Sequence, residues 1–425
     1  MKLLNVRLID NGNIHERVDI EIEEGRIKGV SRSGEHASTD SVNPEVAGSL
    51  DLAGMTVIPG LINMHIHILM DAGNNPVVSG QQPLPYLTLQ AAKRAQAMLE
   101  AGITTARDLG GQDYAEMSLR RAINEGWLPG PHLLVSGKVL TMTGGHGYFI
   151  GIEVDGEDEA RKAARYNLKM GADCIKMMAT GGVLTPGVDP RSTQLSEAEL
   201  RAGFEEAIKA GKLTATHAGG TEGIKNAVRA GVRTVEHGIF LDDEAIAMMI
   251  ERGTYLSATL SAPKMIVAFG EAAGVPKYMV DKSREVMESH LKSFANAYKA
   301  GVKIGCGSDA GTPFNPHADL VTELQMMREG GMSTLEVLKA ATAVSAEALK
   351  LESQIGTLEA GKFADLVVVD GDPLADLETL RQPLMVYKEG KLVFRLPGAM
   401  GDNAPQTHRT APPVAEHSHP DIHLC

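Results

Sequence analysis

From Val57 onward, short apolar runs alternate with longer amphipathic stretches eight times, and few folds can absorb that pattern. Candidate strands lie near Thr56–Met64, Thr104–Leu109, His132–Ser136, Cys174–Ala179, Leu213–His217, Thr234–His237, Tyr255–Leu260 and Val302–Gly307. Between them, stretches such as Leu84–Ala101, Asp158–Met170, Ser196–Ala210 and Tyr278–Ala300 carry helical periodicity. Glycines follow several of these helices, at Gly102, Gly171, Gly231 and Gly301, where a left-handed cap suits glycine. Strands separated by helices of this length are expected to pair in parallel, because each connection is long enough to cross back over the sheet. Eight repeats predict an α/β fold of the (β/α)8 TIM-barrel class, spanning residues 58–354.

The flanks read differently. Leu3–Ile9 and Val18–Ile22 alternate with period two and end at Asp10-Asn11-Gly12 and Glu24-Gly25. The stretch Ser31–Ser49 is small and polar, as a loop would be. Late in the chain, Ala364–Asp370, Leu384–Lys388 and Leu392–Phe394 are strand-like. Residues 1–57 and 355–397 are therefore expected to pair in a small composite β-sandwich. The Pro-rich segment 398–425 is expected to be a flexible tail whose His408, His417, His419 and His423 bind metal only adventitiously.

Composition removes some function classes. The formal charge of −13 disfavours a nucleic-acid-tracking surface. No run approaches the ~18 apolar residues of a membrane span. The three cysteines, Cys174, Cys306 and Cys425, have neither zinc-knuckle nor disulfide spacing. A cytoplasmic enzyme acting on a small molecule, with no nucleic-acid or membrane partner, is expected.

The residues with chemical potential sit at predicted strand ends. His65-Ile66-His67 places two imidazoles at i and i+2 of a strand, on one side, as half a metal site would need. Lys176 lies within an apolar strand, His217 and His237 end the fifth and sixth, and Asp309 follows the eighth. Each has a plainer alternative: a hydrogen-bonded histidine, a snorkelling lysine, a helix-capping aspartate. Their joint position at the C-terminal ends of strands 1, 4, 5, 6 and 8 favours one shared metal site, since those ends converge on one face of a barrel. An unpaired ammonium in an apolar strand is costly, and carboxylation of the Lys176 amine would turn it into an anionic ligand. Arg107-Asp108 reads as a structural ion pair. Gly181-Gly182 lacks the lysine-serine pair of a phosphate loop.

Pro59-Gly60-Leu61-Ile62-Asn63-Met64-His65-Ile66-His67 resembles the first-strand signature of the amidohydrolase superfamily. Lys176, His217, His237 and Asp309 match its binuclear subtype, and Gly356–Val367 is similar to its return into the β-sandwich. Thr143-Gly144-Gly145-His146-Gly147 and Ala179-Thr180-Gly181-Gly182-Val183 look like the imidazolonepropionase-related branch, with its prolidase-like enzymes, Xaa-Arg/Lys dipeptidases and ochratoxin-type amidases.

The resemblance implies two divalent metals, zinc by default with manganese or cobalt as alternatives. His65, His67 and Asp309 would hold one and His217 and His237 the other, bridged by carboxylated Lys176 and a hydroxide. Asp309 would shuttle the proton, and His146 would bind the substrate carbonyl or carboxylate. The expected substrate is a dipeptide of Xaa-Pro or Xaa-Arg/Lys type or an N-acyl amino acid. Homo-oligomers are common among such relatives. One departure stands out: many dipeptidase relatives carry a tyrosine where this chain has Phe240, which leaves room for another amide, a carbamate or a lactone. Tyr255 is the candidate to supply the missing hydroxyl. A deaminase or cyclic-amide hydrolase on the same scaffold is the alternative, against which Lys176 speaks.

Overall fold

The computed structural model describes residues 1–34 and 48–398. The tail histidines, Cys425 and most of Ser31–Ser49 lie outside that range.

The alternating region forms two parallel sheets. One contains Leu61–Ile66, Ile103–Asp108 and His132–Val135 in that order. The other runs through Cys174–Met178, Leu213–Ala218, Thr234–His237, Tyr255–Ser257 and Ile304–Gly305, again in chain order. It begins with two short strands that periodicity does not reveal, Val139–Thr141 and Gly151–Glu153. Backbone hydrogen bonds cross both seams between the sheets: Asp173 N donates to Val135 O, and Met64 N to Cys306 O, each at 2.8 Å. Helices separate most successive strands, and four match the sequence pattern closely: Leu84–Glu100, Glu157–Met170, Glu197–Lys209 and Lys277–Ala300. Ser196 and Glu199 form a reciprocal capping box at the start of the third of these. No described helix is long and apolar enough to cross a membrane.

Strand alternation sorts the interior. In Cys174–Met178, Ile175 and Met177 join the large core beneath the helices, whereas Cys174, Lys176 and Met178 share the opposite, inner face. Inside, near the strand starts, Ile62, Met64, Cys174, Leu213, Ala215 and Tyr255 form an apolar plug. The polar residues lie beyond it, at the strand ends. Cys174 and Cys306 are buried, free thiols within this scaffold.

The two ends of the chain share one eight-stranded sheet, with Leu366–Val369 antiparallel to Thr56–Pro59, which in turn runs parallel to Lys2–Asp10. Its core includes Leu3, Val6, Ile20, Leu366, Val368 and Tyr387. Hydrogen bonding through it is continuous. Lys2–Asp10 takes Ser49–Asp51 and then Thr56–Pro59 along its length, and two register shifts bend it without breaking the ladder.

Another difference concerns Thr56–Met64, expected to be one strand. Thr56–Pro59 belongs to the terminal sheet and Leu61–Ile66 to the first parallel sheet, and the change occurs at Gly60. Gly60 N donates to Asp365 O at 2.8 Å and Leu61 N to Gly102 O at 3.0 Å, so adjacent residues serve different sheets. A Cβ on Gly60 would lie 2.1 Å from Thr104 Oγ1. Gly60→Ala is therefore expected to cost about 1–3 kcal/mol through overpacking and to lower the denaturant midpoint. An unchanged midpoint would show that the junction has space to spare.

Candidate metal centre

His65, His67, Lys176, His217, His237, Asp309 and His146 all line one cavity at the C-terminal ends of the parallel strands. Each imidazole uses one ring nitrogen to fix its orientation. His65 Nδ1 lies 3.1 Å from Glu236 Oε2, His67 Nδ1 2.9 Å from Gly110 O, His217 Nε2 2.8 Å from Gly181 O, and His237 Nδ1 2.6 Å from Thr259 Oγ1. In each ring the other nitrogen is left for a ligand, and an oriented ring of this kind is what a metal-binding histidine requires.

Two ligand positions depend on backbone conformation. In Thr234–His237, Val235 faces the helices and Glu236 the interior, so simple alternation would turn His237 outward. His237 has φ +74°, a left-handed conformation costly for a non-glycine residue, and its ring reaches the interior 4.4 Å from that of His217. Asp309 is left-handed as well, with φ +58°. Its amide donates to His65 O at 2.9 Å, which holds the turn against the first strand.

The donor set fits a divalent metal. His65 Nε2 and His67 Nε2 each stand 3.2 Å from Asp309 Oδ1, yet Oδ1 is buried without a well-formed hydrogen bond. The three groups converge on a common point without satisfying one another. His237 joins His65 and Asp309, with donor atoms within 4.8 Å, so the structure places it beside the pair that the resemblance assigns to the other metal. Burial, followed by the Lys176 charge, lowers His65 to about 4 and His217 to about 3, keeping both rings neutral, as ligation requires. Burial also tends to raise Asp309, but His65, His67 and Lys176 together hold it well below the usual carboxylate range. Lys176 is 1% exposed, and burial lowers its amine to about 8.

His146 sits on the loop after the third strand. Its ring lies 4.3 Å from that of His217, and its Nδ1 lies 2.9 Å from Thr185 Oγ1. The glycine pair Gly181-Gly182 makes this placement possible: a Cβ on Gly182 would lie 2.4 Å from His146 Nε2. The loop carrying these residues is tied to the helix Lys277–Ala300, where Lys282 Nζ donates to the carbonyls of Gly182, Thr185 and Val188 at 3.2, 2.7 and 2.5 Å.

Tyr255 stands elsewhere. It opens its strand, so it lies in the apolar plug at the far end from the ligands, with its ring near Arg233 and Lys303. The structure does not bring it to the cavity as a substrate contact. Phe240 does not line the cavity either; the Arg191 guanidinium lies 4.3 Å above its ring.

Arg107 and Asp108 do not pair with each other. Adjacent in a strand, they face opposite ways. Asp108 accepts from the amides of Ile68 and Gly110 at 2.6 and 3.0 Å. Arg107 is fully buried and donates to Glu236 Oε1 at 2.7 Å, Met64 O at 2.8 Å and Thr234 Oγ1 at 3.1 Å. Sequence reasoning missed Glu236, although it carried the same signal as Lys176: a charged residue in an otherwise apolar strand. Arg107→Leu would leave the Glu236 carboxylate buried and unpaired, costing about 3–5 kcal/mol. The double variant Arg107→Leu/Glu236→Gln is expected to regain much of that stability without regaining activity, as shown by denaturation and turnover measured on one preparation. Equal stability of the single and double variants would refute this account of the pair.

Comparison with known proteins agrees with the geometry. Residues 56–393 match the model of the amidohydrolase family. The chain is 32% identical to ochratoxinase of Aspergillus niger over 374 residues, covering 80% of this chain and 76% of that one. It is 24% identical to imidazolonepropionase of Thermoplasma volcanium over 410 residues, covering 89% and 91%. A crystal structure of a prolidase complexed with N-methylphosphonate-L-proline superposes with TM-score 0.85 at 34% identity, covering 93% of this chain and 99% of that chain. With ligand-type side chains from five strands gathered in one cavity and a family match spanning both sheets, this chain belongs to the amidohydrolase family.

Proposed function

We propose that this protein is a binuclear metal hydrolase, built on a closed (β/α)8 barrel, that cleaves the amide C–N bond of a small and largely apolar substrate. The observation that carries the reading is the convergence of His65, His67 and His237 on the unsatisfied Asp309 Oδ1. The backbone bonds at both seams support the closed barrel. The ochratoxinase and prolidase relatives support amide or peptide bond hydrolysis.

His65, His67, Asp309, His217 and His237 would hold two divalent ions, with Lys176 between them as a carbamate. When bound, such ions polarise a carbonyl and make water a competent nucleophile at neutral pH. An amine lowered to about 8 by burial is partly neutral near pH 7, and the neutral amine is the form that captures carbon dioxide, releasing one proton. Asp309, ionised at neutral pH, accepts the proton of the attacking water and returns it to the leaving nitrogen as the C–N bond breaks. Thr185 can donate its hydroxyl hydrogen to His146 Nδ1, which leaves Nε2–H to bind the substrate carbonyl oxygen or carboxylate.

Most of the remaining wall is apolar, with Phe149, Ile150, Val183, Leu184, Ile266 and Val286, and its other polar side chains, Ser283, His290 and Thr312, carry no carboxylate. Among the lining residues Asp309 is the one carboxylate. A substrate ending in a basic side chain would find no dedicated counter-charge, which favours N-acyl amino acids and apolar dipeptides over the Xaa-Arg/Lys type.

Two results are expected. Metal analysis should give about two ions per chain, with chelation abolishing amide turnover and zinc, manganese or cobalt restoring it. In metal-loaded protein, Asp309→Asn should lower kcat by about 10²–10⁴-fold. Full activity in that variant, or about one ion per active chain, would refute the binuclear mechanism.

A further inference from the structure

The helix Lys277–Ala300 presents Ser283, Val286 and His290 to the catalytic cavity, at spacings that place them on one helical face. Ser283 is fully buried and His290 is 2% exposed. A serine within a helix commonly bonds back to the carbonyl one turn before it, yet Ser283 Oγ has no hydrogen-bond partner among the described residues. His290 Nε2 lies 3.0 Å from His237 O. A carbonyl only accepts, so Nε2 carries the hydrogen, and in the neutral ring Nδ1 is a lone-pair acceptor. That Nδ1 is also buried without a well-formed hydrogen bond, although the backbone of Ala258 lies close to the ring as a further acceptor. Unpaired buried polar atoms are rare because each costs about 1–3 kcal/mol. Two of them stand on one helix face, around the apolar Val286, in the wall of a substrate cavity.

We propose that Ser283 Oγ and His290 Nδ1 form a hydrogen-bonding subsite that recognises a neutral donor, a hydroxyl or an amide N–H, on the non-reacting and otherwise apolar part of the substrate. This rests on the amide-hydrolase reading above and extends it to substrate class. The lone pair of His290 Nδ1 accepts from the donor, and the Ser283 hydroxyl can serve the same group as donor or acceptor. The absence of a counter-charge on this wall disfavours a charged group. Because His290 also braces the His237 carbonyl, its removal would disturb a metal ligand, and Ser283 is the cleaner probe. Ser293, one turn further, does no such double duty: its Oγ donates to Gly238 O at 2.6 Å and accepts from Leu241 N at 3.0 Å.

The test uses metal-loaded full-length protein and N-benzoyl amino acids whose ring carries a hydroxyl, a methoxy group or no substituent, with the substituent at each ring position in turn. At the position that reaches the subsite, wild-type protein is expected to favour the hydroxyl compound over both others by about three- to tenfold in kcat/KM. Ser283→Ala should bring that ratio close to one, and Ser283→Thr should retain it. General damage to the protein would lower all rates together and leave the ratio unchanged. A second measurement compares binding of the corresponding hydroxybenzamides and benzamide by calorimetry, which needs no turnover. If no benzoyl compound is hydrolysed but the hydroxybenzamide preference appears and vanishes in Ser283→Ala, the amide-hydrolase reading fails and the subsite stands. Equal binding of the two benzamides at every ring position, or a preference untouched by Ser283→Ala, overturns the subsite.

Discussion

The buried bridge from Arg107 through Glu236 to His65 is the interaction on which the rest of the site depends. Arg107 and Glu236 are both fully buried, at 2.7 Å. An ion pair in such surroundings is tolerable only when its remaining hydrogen-bonding groups are met. Met64 O and Thr234 Oγ1 meet those of Arg107, while Thr234 Oγ1 and His65 Nδ1 meet those of Glu236. The bridge therefore joins the first, second and sixth parallel strands through the interior. It also fixes the orientation of His65, whose Nε2 then faces Asp309. The scaffold and the candidate metal centre share one electrostatic unit, and changing it would disturb both.

Around that unit, the ligands are carried by short, well-anchored backbone. His237 and Asp309 lie in left-handed conformations that a free chain would avoid, and the neighbouring strands hold them there. Gly182 supplies the space for His146, and Lys282 supplies three hydrogen bonds to the loop that carries Gly182. Burial lowers Lys282 from the ordinary lysine range. The ammonium nevertheless replaces its lost hydration with carbonyl dipoles. The helix Lys277–Ala300 consequently has three roles: it clamps this loop, braces the backbone after His237 and contributes Ser283 and His290 to the cavity wall.

The cavity divides by chemistry. Ionisable side chains crowd the strand ends, and mostly apolar side chains from the surrounding loops and the long helix, broken by Ser283 and His290, form the remaining wall. Such a pocket draws binding energy from apolar burial and uses a few polar groups for orientation. Phe240 fits this division by its position beneath Arg191 and outside the lining, where its lack of a hydroxyl has no direct contact to forfeit.

The sequence by itself determined the period of the chain and the chemistry of its strand ends. Eight apolar runs, the helices between them and the residues His65, His67, Lys176, His217, His237 and Asp309 were legible because strand alternation, helix periodicity and residue type are local properties. Three features were decided only in the tertiary structure. The run Thr56–Met64 splits between two sheets at Gly60, because separate neighbours compete for its backbone bonds. Arg107 turns from its sequence neighbour Asp108 to Glu236, on a strand that follows more than a hundred residues later. Tyr255, beginning its strand, falls at the end of the scaffold opposite the ligands. Each outcome depends on which groups meet across strands and which way the backbone turns at a strand end, and both are set by contacts between distant segments that a local pattern does not contain.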